Sequence, residues 1–117
     1  MSILKNKSMS EILNIKPLSV NIAWQGKRFK TIKYKNYEKI CLLSLPNIYI
    51  PPQPYIVNLE FGFSNVSSDI DNPVKPFLDI LQKKYGINDK DIFQLNIKKR
   101  IVKKGFEYIK FNITELV

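Results

Sequence analysis

Two aspartates lie two residues apart in the run Asp69-Ile70-Asp71-Asn72-Pro73. In extended backbone such residues point the same way, so both carboxylates are expected to project together while Ile70 turns into the core. Neighbouring anions repel unless a cation lies between them. Mg²⁺ (or Mn²⁺) resolves that conflict, since Mg²⁺ takes one or two carboxylates and completes its shell with water and phosphate oxygens. Asp71 leads into a helix start, whose free N–H groups suit a phosphate. Lys75, four residues after Asp71, can lean over the same site. About 18 residues beyond Asp71, the turn Asn88-Asp89-Lys90-Asp91 offers further oxygen ligands before the next strand. The same spacing also suits plain capping, with Asn72 as N-cap and Pro73 as first helical residue. On spacing alone both readings stand.

The elements that must position these groups come from a chain of 117 residues, enough for one domain with a modest core. It has no histidine and a single cysteine, Cys41. That excludes a Cys/His zinc site, a histidine-based nucleophile system and an intrachain disulfide. Catalysis would run on carboxylates, lysine, tyrosine or an oxygen-ligated metal. Cys41 reads as a small core residue.

The net charge of +9 is unevenly distributed. Residues 1–40 carry net +7 and residues 83–104 net +6, whereas residues 58–82 carry net −3. Two basic blocks around an acidic island point to a polyanionic partner, nucleic acid before membrane. The candidate phosphate contacts are Lys27, Arg28, Lys30 and Lys33 in one segment and Lys98, Lys99, Arg100, Lys103 and Lys104 in the other. Two arginines provide little bidentate reading of guanine, so recognition by DNA shape is expected. Trp24 suits the core better than a base-stacking role.

Residues 1–10 read as an arm, Glu11 to Ile15 as a strand, and Gln25 to Lys33 as a loop. Tyr34, Tyr37, Cys41 and Leu45 recur at helical spacing before Pro46. Tyr55, Val57, Leu59, Phe61 and Phe63 alternate with Ile56, Asn58, Glu60 and Gly62, the clearest strand pattern in the chain. A helix from Asn72 carries Phe77, Leu78, Leu81 and Tyr85 inward and ends near Gly86. Strands are expected over Ile92 to Lys99 and Phe106 to Ile113, joined by a hairpin connection. The order predicts one α/β domain of α+β type over residues 11–117, with a mixed sheet of about four strands and two helices.

The stretch Asp69-Ile70-Asp71-Asn72, then Lys75, then Asp79-Ile80-Leu81, resembles the DLDN…K…DAL segment of the RusA family of Holliday junction resolvases. Pro17-Leu18-Ser19-Val20-Asn21 is similar to that family's Pro-Pro-Ser-x-Asn element, and Lys103-Lys104-Gly105 fits its C-terminal hairpin. The resemblance spans residues 11 to 114. It implies a homodimer that cleaves four-way DNA junctions with Mg²⁺, in recombination and repair. By position it assigns metal-binding and catalytic roles to Asp69, Asp71 and Asp89, with Lys75 as the accompanying basic residue. Asn88 replaces the first residue of the family's Asp-Asp pair, which leaves Asp91 as a reserve ligand. Leu18 replaces the second proline of the N-terminal element. Asp79, one turn beyond Lys75, suits a partner that fixes its direction.

The rival reading is a branched-DNA- or RNA-binding module of the same fold with little or no cleavage. A free thiol without a leader-like apolar stretch reads as cytoplasmic, and the Lys/Ile/Asn-rich composition suits a cellular or a phage gene of bacteria.

Overall fold

The computed structural model describes residues 10–18, 24–25 and 29–117, with only the backbone described at 24–25 and 29–30. The expected arm, apart from Ser10, lies outside the described residues, as do Lys27 and Arg28. The described elements run β1 (Glu11–Leu13), β2 (Trp24–Gln25), β3 (Phe29–Lys30), α1 (Ile32–Ser44), β4 (Tyr55–Phe63), α2 (Val74–Tyr85), a 3₁₀ turn (Asp89–Asp91), β5 (Ile92–Ile101) and β6 (Tyr108–Glu115).

Four strands form one mixed sheet in the order β1-β6-β4-β5, and β2 pairs with β3 by itself. The small β2–β3 pair lies where a loop was expected. β4 is central: it runs parallel to β5 and antiparallel to β6. Since β5 and β6 flank β4 on opposite sides, the segment between them crosses an end of the sheet and is not the expected hairpin. Turn residues such as Lys104 and Gly105 signal a reversal; they do not say which neighbour the next strand will choose.

Alternation in β4 decides the layering. Tyr55, Val57, Leu59, Phe61 and Phe63 are all buried. They meet Phe77, Ile80 and Leu81 of α2, Tyr34, Tyr37 and Cys41 of α1, and Ile109, Phe111 and Ile113 of β6 in one core. The Phe77 ring meets that of Phe111 edge-on at 5.7 Å and that of Phe61 at 6.4 Å. Cys41 is completely buried. Thr31 caps α1 by accepting from the Tyr34 N–H at 3.1 Å. Gly86, at φ 68°, ends α2 in a left-handed conformation that a side chain would strain.

Both helices cover one face of the sheet, and the other face is open and polar. On it an amide ladder crosses the strands. Asn96 Nδ2 donates to Asn58 Oδ1 at 2.7 Å, and Asn58 Nδ2 to Asn112 Oδ1 at 2.8 Å. Asn112 Nδ2 donates to Ser10 Oγ at 3.3 Å, which ties Ser10 to the sheet. Beside the ladder the Tyr108 ring lies across Gly62, and its hydroxyl donates to Glu60.

Candidate functional site

β4 and β5 are parallel and α2 returns the chain between them, so the loop after β4 and the turn before β5 sit at opposite ends of the sheet. The loop holds Asp69 and Asp71; the turn holds Asp89 and Asp91. Twelve helical residues separate the two, about 18 Å of helix axis. Hydrogen bonds mark the same separation. The Asp89 N–H donates to Gln82 Oε1 on the last turns of α2 at 3.2 Å, while Asn72, just before the helix, binds Asp69. The sequence-predicted trio is therefore not one site within a chain. Among the described residues, no three His, Cys, Asp or Glu side chains lie close enough to hold a metal ion.

The Asp69 loop also departs from the extended geometry expected for it. The Asn72 N–H donates to the Asp69 carbonyl at 3.4 Å, and the Val74 N–H to the Asp71 carbonyl at 3.1 Å. These are successive turns, in which period-two alternation does not apply. Ile70 is accordingly 43% exposed and not in the core. Asn72 is not the helix cap either: its Nδ2 donates to Asp69 Oδ2 at 3.3 Å. Pro73 holds the cap position in a helical conformation without a side-chain bond, one residue later than expected.

Asp69 and Asn72 open on a cleft of about 570 Å³ at the carboxyl end of β4, bordered also by Lys16, Lys33, Ser68 and Glu107. In open parallel α/β sheets ligands bind at the carboxyl ends of the strands, and β4 and β5 form the one parallel pair of the described sheet. Two lysines and two carboxylates among the residues that line it suit a phosphate with a metal. Glu107 carried no sequence signal. Its Oε2 accepts from the Ser64 hydroxyl at 2.6 Å and its Oε1 from the Gly105 N–H at 3.0 Å. The Ser64 bond, with backbone donors, holds its carboxyl below the usual range.

Lys75 Nζ lies 3.0 Å from Asp79 Oδ1, the pairing expected from their spacing, so in this structure its charge points along α2 and not back over Asp71. Asn88 accepts from the Lys90 N–H at 3.1 Å and caps the 3₁₀ turn. Asp91 lies in that same turn.

The basic candidates divide. Lys33 borders the cleft, and Lys103 and Lys104 are exposed before β6. Lys98 and Arg100 are exposed on β5. They pair in register with Glu60 and Gly62, so they extend the open polar face. Lys99 points to the helix side. It donates to the carbonyls of Val66, at 2.9 Å, and of Ser68, and its Nζ lies 5.9 Å from the Phe63 ring centre. That lysine, half-exposed, fastens the Asp69 loop. Lys30 is in β3, and its side chain, like that of Trp24, lies outside the described residues. Asn58, Asn112 and Lys110 on the open face escaped the sequence reading, because isolated polar residues inside strands carry no motif.

No family model matches the chain, and no curated protein matches it. Among the described residues, no helix is long and apolar enough to cross a membrane.

Proposed function

We propose that the protein is a Mg²⁺-dependent, structure-selective endodeoxyribonuclease of RusA-resolvase type, acting in the bacterial cytoplasm as a homodimer on four-way or other branched DNA. The observation that carries this is the Asp69–Asp71 turn beside a cleft lined by Lys16 and Lys33, on a chain of net charge +9. Asp69, which borders the cleft, and Asp71, in the same turn but not among the residues that line it, would supply the one or two carboxylates that a Mg²⁺ ion needs. Such an ion would supply a water of lowered pKa and a polarised phosphate. The protein's own groups have separate work. Lys33 and Lys16 draw a backbone phosphate into the cleft, and Asn72 holds the Asp69 carboxylate in one orientation. Glu107, kept ionised, braces the strand ends that form the wall. Lys98, Arg100 and Lys110 on the open face add phosphate contacts outside the cleft.

A second reading, a branched-DNA- or RNA-binding module that does not cut, is favoured by one observation: a single chain leaves Asp89 at the far end of α2. One experiment separates the two. The wild type and Asp71→Asn are incubated with a synthetic four-way junction and Mg²⁺. Symmetric nicking by the wild type alone, with a loss of about 10²-fold or more in the variant, supports the nuclease. Junction binding without nicking by the wild type supports the module, and equal nicking by both proteins removes Asp71 from the chemistry.

A further inference from the structure

The sheet face that the helices leave open carries more than the amide ladder. Strand register lays two further rows beside it: Lys98, Glu60 and Lys110, then Arg100, Gly62 and Tyr108. Three cations thus surround one acid, Glu60, whose carboxylate already accepts from the Tyr108 hydroxyl. A shallow depression of about 290 Å³ lies in this face between Asn58, Asn96, Lys98 and Lys110. That is near the lower bound for a small-ligand site, the scale of a single nucleotide.

Tyr108 has what stacking requires. Gly62 lacks the Cβ that would strike its ring at 2.4 Å, so the ring can lie across the strand. The bond to Glu60 fixes its far end, and the residue stays partly exposed. A ring held in this way loses little freedom when a base stacks on it. Asn58 and Asn96 each spend one amide N–H along the ladder and keep the second, which suits the acceptors on a base edge. Stacking reaches only an unpaired base, so ring, amides and cations together select a single strand over a duplex. A second copy laid face to face would instead set these cations against each other.

We propose that the open sheet face is a platform for single-stranded DNA, separate from the cleft. One base stacks on Tyr108, a neighbouring base meets the amides of Asn58 and Asn96, and Lys98, Lys110 and Arg100 hold the phosphates. The platform does not need cleavage; only the choice of DNA over RNA rests on the nuclease reading above.

Fluorescence anisotropy tests it in the full chain, without Mg²⁺, using a labelled oligothymidylate of about 12 nucleotides. The wild type should bind this strand. Tyr108→Leu should weaken binding by about tenfold or more, whereas Tyr108→Phe, which keeps the ring, should stay within about threefold. Gly62→Ala, which unseats the ring, should weaken it as well. Lys98→Gln, an exposed change that spares the core, should flatten the slope of log affinity against log salt by about 0.7. Lys39→Gln, exposed on α1 on the helix-covered side, should leave that slope unchanged. A 5-iodouracil placed in the strand should photo-cross-link to Tyr108. Binding that survives Tyr108→Leu and Lys98→Gln but is lost in Lys33→Gln puts the strand in the cleft and overturns the proposal. So does a chain that binds a four-way junction but no single strand, a result that leaves the nuclease reading standing. An oligouridylate held about tenfold tighter than the oligothymidylate overturns the choice of DNA. Strand binding that depends on Tyr108, without any junction nicking, supports the platform and sinks only the nuclease reading.

Discussion

The Lys99 ammonium donates to the Val66 carbonyl at 2.9 Å, bridging the edge strand to the loop that carries Asp69. Replacing Lys99 with Met keeps the stem but removes the donor, leaving two loop carbonyls without it. Hydrogen exchange in residues 64–72 should then quicken by roughly tenfold, a local opening of about 1.4 kcal/mol, while β4 stays protected. Unchanged exchange in the loop would show that the bond holds nothing in place.

Gly62 gives the second expectation. A Cβ built there would lie 2.4 Å from the Tyr108 ring, so Gly62→Ala must displace that ring and its bond to Glu60. A loss of about 1–3 kcal/mol in denaturant unfolding is expected. Adding Tyr108→Ala to Gly62→Ala should cost less than the sum of the single changes, since the clash is then gone. Additive losses would refute the contact.

Asn58 is the middle rung of the amide ladder, donating to Asn112 and accepting from Asn96. Truncation to Ala deprives both neighbours, whereas Asn96→Ala at the edge leaves a site that water can reach. Asn58→Ala should cost about 1–3 kcal/mol and Asn96→Ala well under 1. Equal costs in urea melts would mean that water replaces the ladder freely.

The pH profile follows from the core. Burial pushes the Cys41 thiol up to about 12 from an ordinary 9.0 and the Tyr85 hydroxyl up to about 12 from 10.0. Burial raises Tyr34 and Tyr37 as well. Each neutral form is favoured in the folded state, so the stabilisation is complete below the ordinary values and is lost as pH rises through them toward the folded ones. With no histidine to titrate, Tm should be flat from about pH 6 to 8.5 and fall above about pH 9. A Tm that climbs above that point would contradict the assignment. In the native state Cys41 should resist thiol reagents and react only on unfolding.

How much of this was legible in the sequence differs by element. β4 could be read from its alternation because one face of it meets a continuous core. α2 could be read from Phe77, Leu81 and the stop at Gly86. What escaped was spatial order. Nothing local in residues 101–108 says that β6 will pass β5 and pair with β4, since partner choice is settled by the layers as a whole. The acidic residues show the same limit. Asp69, Asp71 and Asp89 could be picked out by type and spacing, but the separation of the third followed only once β4 and β5 were known to be parallel. Ile70 was misplaced because a turn looks, residue by residue, like a short strand.

The position of β6 has a consequence for how the chain matures. Glu11 pairs with Phe111, a hundred positions further on, and β4 takes β6 as its antiparallel neighbour. During translation β1 therefore leaves the ribosome long before β6, the strand it pairs with. The β4–α2–β5 segment can dock on its own much earlier, since its pairings are closer in the chain. Until β6 threads into place between β1 and β4, both flanks of that central unit stay open. A chaperone or a second nascent copy would find the molecule most receptive in that interval.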